Sequence, residues 1–284
     1  MKNVSFQLDH IKLEGLSFGN ANKPVVLATH GWLDNAASFI PLAERLNDYH
    51  IVAVDYAGHG LSEPRPKGGH YHFLDNIFDM NALIQQQGWQ DVILLGHSMG
   101  GILASIYAAS FPEHVRALVM VEAFGPLTKG EETSPQQLHD AIKSRHAVAS
   151  KAVHHPSSFE MAVQARLAAG KMNTASAELL MQRNVKEQNG MFSWRTDPRL
   201  RTLSPLRLTE NQAKAFLSAI TCPTLSILGK QGFTELRDAQ EKDAHLIQDF
   251  HTAEFEGGHH VHMDSPELVS EAMLAFFNKV LKVG

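Results

Sequence analysis

The chain has 284 residues, 44% apolar and 19% charged, with a net charge of −5; this is an ordinary globular composition, long enough for one large α/β domain or a core with an inserted subdomain. The acidic balance excludes a basic surface for nucleic acid or anionic lipid, and no stretch reaches the roughly 18 uninterrupted apolar residues of a membrane span. The single cysteine, Cys222, forbids an internal disulfide and the polar N-terminus lacks a signal peptide's apolar run, so the expectation is a cytoplasmic monomer or homodimer without nucleic-acid or membrane partners.

Residues 4–18 alternate apolar with polar, predicting two antiparallel strands at a sheet edge with a turn at Asp9-His10. Residues 25–29 (VVLAT) form the continuous apolar run of a strand covered on both faces. Ser38 is placed to cap a helix to about Leu46. A strand over 51–56 follows, then a Gly/Pro-rich loop and a helix over 73–87 that ends at Gly88. Residues 92–95 predict a strand, 100–110 a helix and 117–122 another strand. This alternation specifies an α/β protein with a doubly wound, mostly parallel sheet, whose ligands bind beyond the carboxyl ends of the strands.

The rhythm breaks between 125 and 220. Helix-like segments at 136–148, 158–169, 175–187 and 210–220 predict a helical cap inserted into a core made of 1–124 and 221–284. Its Met, Phe and Ala content points to an apolar pocket beneath it. Strands return at 224–228 and 252–255, and a last helix spans 266–281. Cys222, just ahead of an apolar run, reads as a buried, inert thiol.

Gly96-His97-Ser98-Met99-Gly100 is a G-x-S-x-G pattern between a predicted strand and helix, the context that exposes a nucleophile on a sharp turn. A serine hydroxyl reacts at neutral pH only if a base takes its proton and an acid holds that base. The candidate base is His259, in GGHHVHMDSPE between the last strand and the last helix. His259, His260 and His262 also read as a metal cluster, but histidines crowded on one short loop seldom all face one ion, so no metal is expected. His70, His72, His154 and His155 read as surface or cap residues. For the oxyanion, the amides of Trp32, in THGWLDN, and Met99 are the candidate donors, with Gly31 beside the substrate.

HGWLDNAASF, DYAGHGLSEP, GHSMGG and GGHHVHMDSPE, in that order, resemble the α/β-hydrolase superfamily and within it are similar to the serine hydrolase-like proteins. The resemblance implies the α/β-hydrolase fold with an inserted cap, no cofactor, and hydrolysis of a small carboxylic ester through an acyl-enzyme. Thioester or carbon–carbon hydrolysis, perhydrolysis and a non-catalytic binding protein stay open. It also implies that Asp55 and His59 belong to a structural loop. Most members carry the acid in a G-x-x-D segment after the strand equivalent to 224–228; here that segment reads Gly229-Lys230-Gln231-Gly232-Phe233, with glycine in its place. Glu122 is favoured instead, because it ends an apolar strand at the same rim and a buried carboxylate left unpaired is costly. Glu122-Ala123-Phe124-Gly125-Pro126 resembles a subset of haloalkane dehalogenases with the acid there, and Phe124 is expected at the substrate. Glu235 and Asp238, the alternatives, read as the exposed start of a helix. Those dehalogenases use an aspartate nucleophile, so Ser98 implies acylation.

Overall fold

The computed structural model describes residues 1–281; the last three residues of the expected core segment, 282–284, lie outside them. The N-terminal alternation forms β1 (Lys2–Gln7) and β2 (Lys12–Phe18), an antiparallel hairpin closed by a Leu8 N–H to Ile11 carbonyl bond of 2.9 Å. Strand and helix then alternate through β3 (Val25–Thr29), α1 (Ile40–Ala43), β4 (His50–Val54), α2 (Asp75–Gln87), β5 (Val92–His97), α3 (Met99–Ser110) and β6 (Val115–Val121). The cap segment holds α4 (Ser134–Ser150), α5 (Phe159–Ala169), α6 (Thr174–Asn184), β7 (Val185–Gln188) and β8 (Met191–Trp194). After it come α7 (Glu210–Ser218), β9 (Thr224–Gly229), α8 (Thr234–Asp243), β10 (Phe250–Phe255), α9 (Val261–Asp264) and α10 (Pro266–Val280).

Eight strands form one sheet in the order β1-β2-β4-β3-β5-β6-β9-β10, antiparallel at the β1/β2 and β2/β4 pairs and parallel elsewhere. The two-residue period of a strand explains the two cores. Along β5, Val92 and Leu94 face the cluster beneath α2 and α3, while Ile93 and Leu95 face the cluster beneath α1 and α10. Because Leu94 is fully buried, cutting it to Ala costs about 2–5 kcal/mol. The parallel order brings the ends of β5, β6, β9 and β10 to one rim, where the functional loops lie. No helix among the described residues is long and apolar enough to cross a membrane.

Three local expectations are corrected. Asn35, not Ser38, caps the turn after β3 by accepting from the Ala37 N–H (3.0 Å); Ser38 is wholly buried and its hydroxyl meets His262 Nε2 at 2.6 Å. The helix expected over 175–187 stops at Asn184, and β7 and β8 form a hairpin through Asn189-Gly190, both with positive φ (54° and 74°). Asn-Gly is the residue pair such a two-residue turn selects. Last, α7 packs on α3, and Leu217 and Ile220 join the core beneath it. That part of the expected cap segment therefore sits with the sheet, while Ala162, Ala177, Leu180 and Met181 form a separate cap core.

Candidate active site

Ser98 stands between β5 and α3 with φ 52°, its N–H donating to the Val121 carbonyl at 2.9 Å. The flanking glycines are required sterically, since a Cβ at Gly96 would overlap the Gly101 backbone and one at Gly100 would overlap the Thr29 carbonyl. On the adjacent strand, Glu122 follows β6 with φ 49°, and its N–H donates to Ile227 at 2.8 Å. This turn buries the carboxylate at the rim, where Oε1 accepts the Gly229 N–H (2.6 Å) and Oε2 lies 3.1 Å from His259 Nδ1. A proton on Nδ1 serves that bond and leaves Nε2 of His259 free as a base.

The glycine at 232, where the family resemblance predicts an acid, has a physical reason. A Cβ at Gly232 would come within 2.6 Å of the Glu122 carboxyl carbon, so the Glu122 side chain fills the space a residue at 232 would need. Its φ lies outside the left-handed region, so the backbone alone does not demand glycine there. Glu235 and Asp238 are exposed on α8, and neither hydrogen-bonds His259.

His259 is further held by neighbours that carry no sequence signal. The Phe233 ring lies 4.6 Å from its ring, tilted by 60°, and His97 Nε2 donates to its carbonyl at 2.7 Å. Burial, helped by the charges of His262, His259 and His260, keeps the His97 pKa well below its ordinary value, so His97 is neutral with its proton on Nε2.

Gly31 to Asp34 form a turn closed by the Asp34 N–H and the Gly31 carbonyl (3.1 Å), with Leu33 at φ 63°. Three of the five non-glycine residues with positive φ among the described residues, Leu33, Ser98 and Glu122, thus lie in the loops around one site. Backbone strain of about 1–3 kcal/mol per residue concentrates at functional sites. Met99 opens α3, so its amide has no partner within the helix and lies at the positive end of the helix dipole. The Trp32 indole, half exposed, donates to the Leu200 carbonyl (3.0 Å) and ties this turn to the loop after the cap hairpin.

Asp34 accepts from Arg166 of α5 (2.7 Å), and His260 Nε2 lies 3.0 Å from its other oxygen. Burial raises the Asp34 pKa, but the charge and hydrogen bond of His260, with the charge of Arg166, outweigh it and hold the carboxyl well below the usual range. Ligand atoms of Asp34, His97 and His260 lie within 4.8 Å of one another, the one grouping among the described residues spaced to hold a metal. The Arg166 guanidinium already fills that place, 2.7 Å from Asp34 and 2.9 Å from His260 Nε2, so the arrangement fits a cation of the protein's own. Of the three loop histidines, only His260 belongs to it; His262 turns to Ser38.

Asp55 is a structural anchor: wholly buried, it accepts from the Ala36 and Leu61 N–H groups and from Arg183 of α6 at 2.8 Å. His59 is buried with its pKa pushed down to about 3 by burial. Cys222 is buried too, and burial pushes its thiol up to about 11.

A cavity of about 950 Å³ lies between the cap and the rim, lined by Ser98, His259, Gly31 and Trp32. Phe124 does not reach it, contrary to the expectation that it touches substrate. The turn at Glu122 carries Phe124 into the core beside Phe250 (ring centroids 5.8 Å apart) and a separate cavity of about 150 Å³ shared with Leu217.

The family described as alpha/beta hydrolase fold matches residues 24–266. A serine hydrolase-like protein of Danio rerio is 30% identical over 277 residues, covering 93% of this chain and 85% of its own. A 2-(acetamidomethylene)succinate hydrolase of Mesorhizobium japonicum is 29% identical over 266 residues, covering 90% of this chain and 88% of its own. The crystal structure of a hypothetical protein from Pseudomonas aeruginosa PAO1 superposes with a TM-score of 0.93 at 36% identity, over 98% of this chain and 100% of that one. With this sheet order, a strained serine turn after β5 and a family match across most of its length, the chain belongs to the α/β-hydrolase fold family.

Proposed function

We propose that this hydrolase cleaves a carboxylic ester through an acyl-enzyme, with Ser98 as nucleophile, His259 as base and Glu122 as the acid that orients it. The observation that carries the reading is the 3.1 Å contact of buried Glu122 with Nδ1 of His259, which lines the same cavity as the strained Ser98. In this mechanism the Ser98 oxygen attacks the carbonyl carbon as its proton passes to His259 Nε2. The amides of Trp32 and Met99 hold the resulting oxyanion, which removal of one donor would weaken by about 3–4 kcal/mol. The bond to the alcohol then breaks, and the alkoxide leaves with the proton from His259. Water repeats the sequence on the acyl-enzyme, giving the free acid and restoring Ser98.

A series of p-nitrophenyl esters of rising acyl length tests the reading and sizes the acyl pocket. Wild type should release p-nitrophenol with saturation kinetics, and Ser98→Ala should lose that release with an unchanged circular dichroism spectrum. Hydrolysis by Ser98→Ala at the wild-type rate would place the chemistry elsewhere.

A further inference from the structure

The cavity carries a charge opposite to that of the chain. Overall the protein has 30 acidic and 25 basic residues. Yet four cations, Lys151, Arg166, Lys171 and Arg201, line the cavity, and Asp34 is the only acid among the lining residues. Asp34 is already engaged by Arg166 and His260. Some cations elsewhere on the surface pair with acids, as Lys230 with Glu256, Lys214 with Glu210 and Arg237 with Glu254, while others, such as Lys129 and Lys186, do not among the described residues; what sets the cavity apart is that its cations gather in one wall. Lys151, Lys171 and Arg201 have no carboxylate in reach among the described residues, and the Arg166 Nε is buried without a partner.

The three free cations come from three separate segments. Lys151 ends α4, Lys171 follows α5, and Arg201 lies in the turn after the cap hairpin. No periodicity of one helix places them together; the cap does. Between them the wall is apolar, with Val148, Val153, Met181, Trp194 and, from the core, Phe233. A cavity of about 950 Å³ also exceeds the needs of a short neutral ester, since pockets of about 300–1,000 Å³ take ligands of drug size. All three cations are solvent-exposed, so their gathered charge attracts an oppositely charged ligand and raises its local concentration in a way that salt screens.

We infer that the substrate is an amphipathic anion: an ester or thioester whose scissile carbonyl is joined through an apolar stretch to a carboxylate or phosphate held by Lys151, Lys171 and Arg201. This inference rests on the hydrolase reading of Ser98. The anion serves binding and takes no part in the bond changes at the carbonyl, so its effect falls on KM.

Two matched substrate pairs test it. The first compares 4-nitrophenyl butyrate with mono(4-nitrophenyl) glutarate, which adds a carboxylate on the acyl side. The second compares butyryl-N-acetylcysteamine with butyryl-coenzyme A, which adds phosphates on the leaving-group side. In at least one pair the anionic member should have the higher kcat/KM, by about tenfold and mainly through KM, and that advantage should shrink as salt rises from about 20 mM to about 300 mM. The pair showing it identifies which end carries the charge. In the triple variant Lys151→Gln, Lys171→Gln, Arg201→Gln, the ratio of anionic to neutral kcat/KM should fall about fivefold or more. The salt dependence of the wild type tests the same point if that variant folds poorly. Ratios within about twofold of unity in both pairs, or a preference indifferent to both salt and the variant, would overturn the inference. A fluorophosphonate adduct on Ser98 in the same preparation confines that failure to the substrate class, whereas no adduct and no turnover of any of the four substrates overturns the hydrolase reading together with it.

Discussion

Replacing Gly232 tests the proposed role of Glu122 without touching Glu122 itself. The backbone at 232 accepts any residue, but a Cβ there would lie 2.6 Å from the Glu122 carboxyl carbon. Ordinary contact requires the carboxylate to retreat by roughly 1 Å, a displacement on the scale that costs a catalytic arrangement about 10²-fold. The retreat stretches the 3.1 Å bond to His259 Nδ1 and the 2.6 Å bond from the Gly229 N–H beyond hydrogen-bonding range. If His259 then loses its orientation and tautomer altogether, the loss approaches about 10⁴-fold in kcat. Gly232→Ala should therefore lower kcat for a p-nitrophenyl ester by about 10² to 10⁴, with KM little changed. Glu122→Ala should do the same. The double variant Glu122→Ala, Gly232→Asp moves the carboxylate to the other side of the space that Glu122 fills, and should recover at least about tenfold over either single change. Gly232→Ala with wild-type kcat, or a double variant no better than its parents, would refute the argument that Glu122 and Gly232 are two halves of one arrangement.

Other consequences follow from the same structure. Glu235→Gln and Asp238→Asn, on the exposed face of α8, should leave kcat within about twofold of wild type, read in the same ester assay. Arg183→Ala removes the cap's hold on Asp55 and leaves a wholly buried carboxylate short of its cation, so urea unfolding should show a loss of about 3–5 kcal/mol. Acid should destabilise the fold near pH 6. His30, His59, His97 and His262 are buried with lowered pKa values, chiefly through burial, and so remain neutral in the fold while the unfolded chain takes up protons below about pH 6.5. Their stabilisation is fully present above that pH and is lost as pH falls, by up to about 1.4 kcal/mol per pH unit for each histidine. A free energy of unfolding that stays level from pH 7 to pH 5 would contradict it.

The sheet was largely legible because its strands are apolar runs between turn residues, and period and composition are local properties. Ser98 was legible for the same reason: a strand, a glycine-flanked serine and a helix lie within one short stretch. Glu122 emerged from an absence, the glycine at 232, whose steric cause only the folded chain displays. What local pattern could not reach are contacts across long separations. Arg166 and Asp34, 132 residues apart, meet because α5 crosses the rim, and nothing in either segment announces the other. Phe124 was misplaced because the resemblance aligned the chain but not the direction of the turn at Glu122, which sends the next side chains into the core. The cap hairpin did carry a signal in Asn189-Gly190, outweighed by the helix-favouring residues before it.

The central claim is that Ser98 is a nucleophile activated by His259, and the most direct measurement is covalent labelling of the folded protein with a fluorophosphonate, followed by peptide mapping. The account predicts a single adduct, on Ser98, formed at least about 100-fold more slowly in His259→Ala, where no base is left to take the serine proton. No adduct, an adduct on another residue, or equal labelling rates with and without His259 would contradict it.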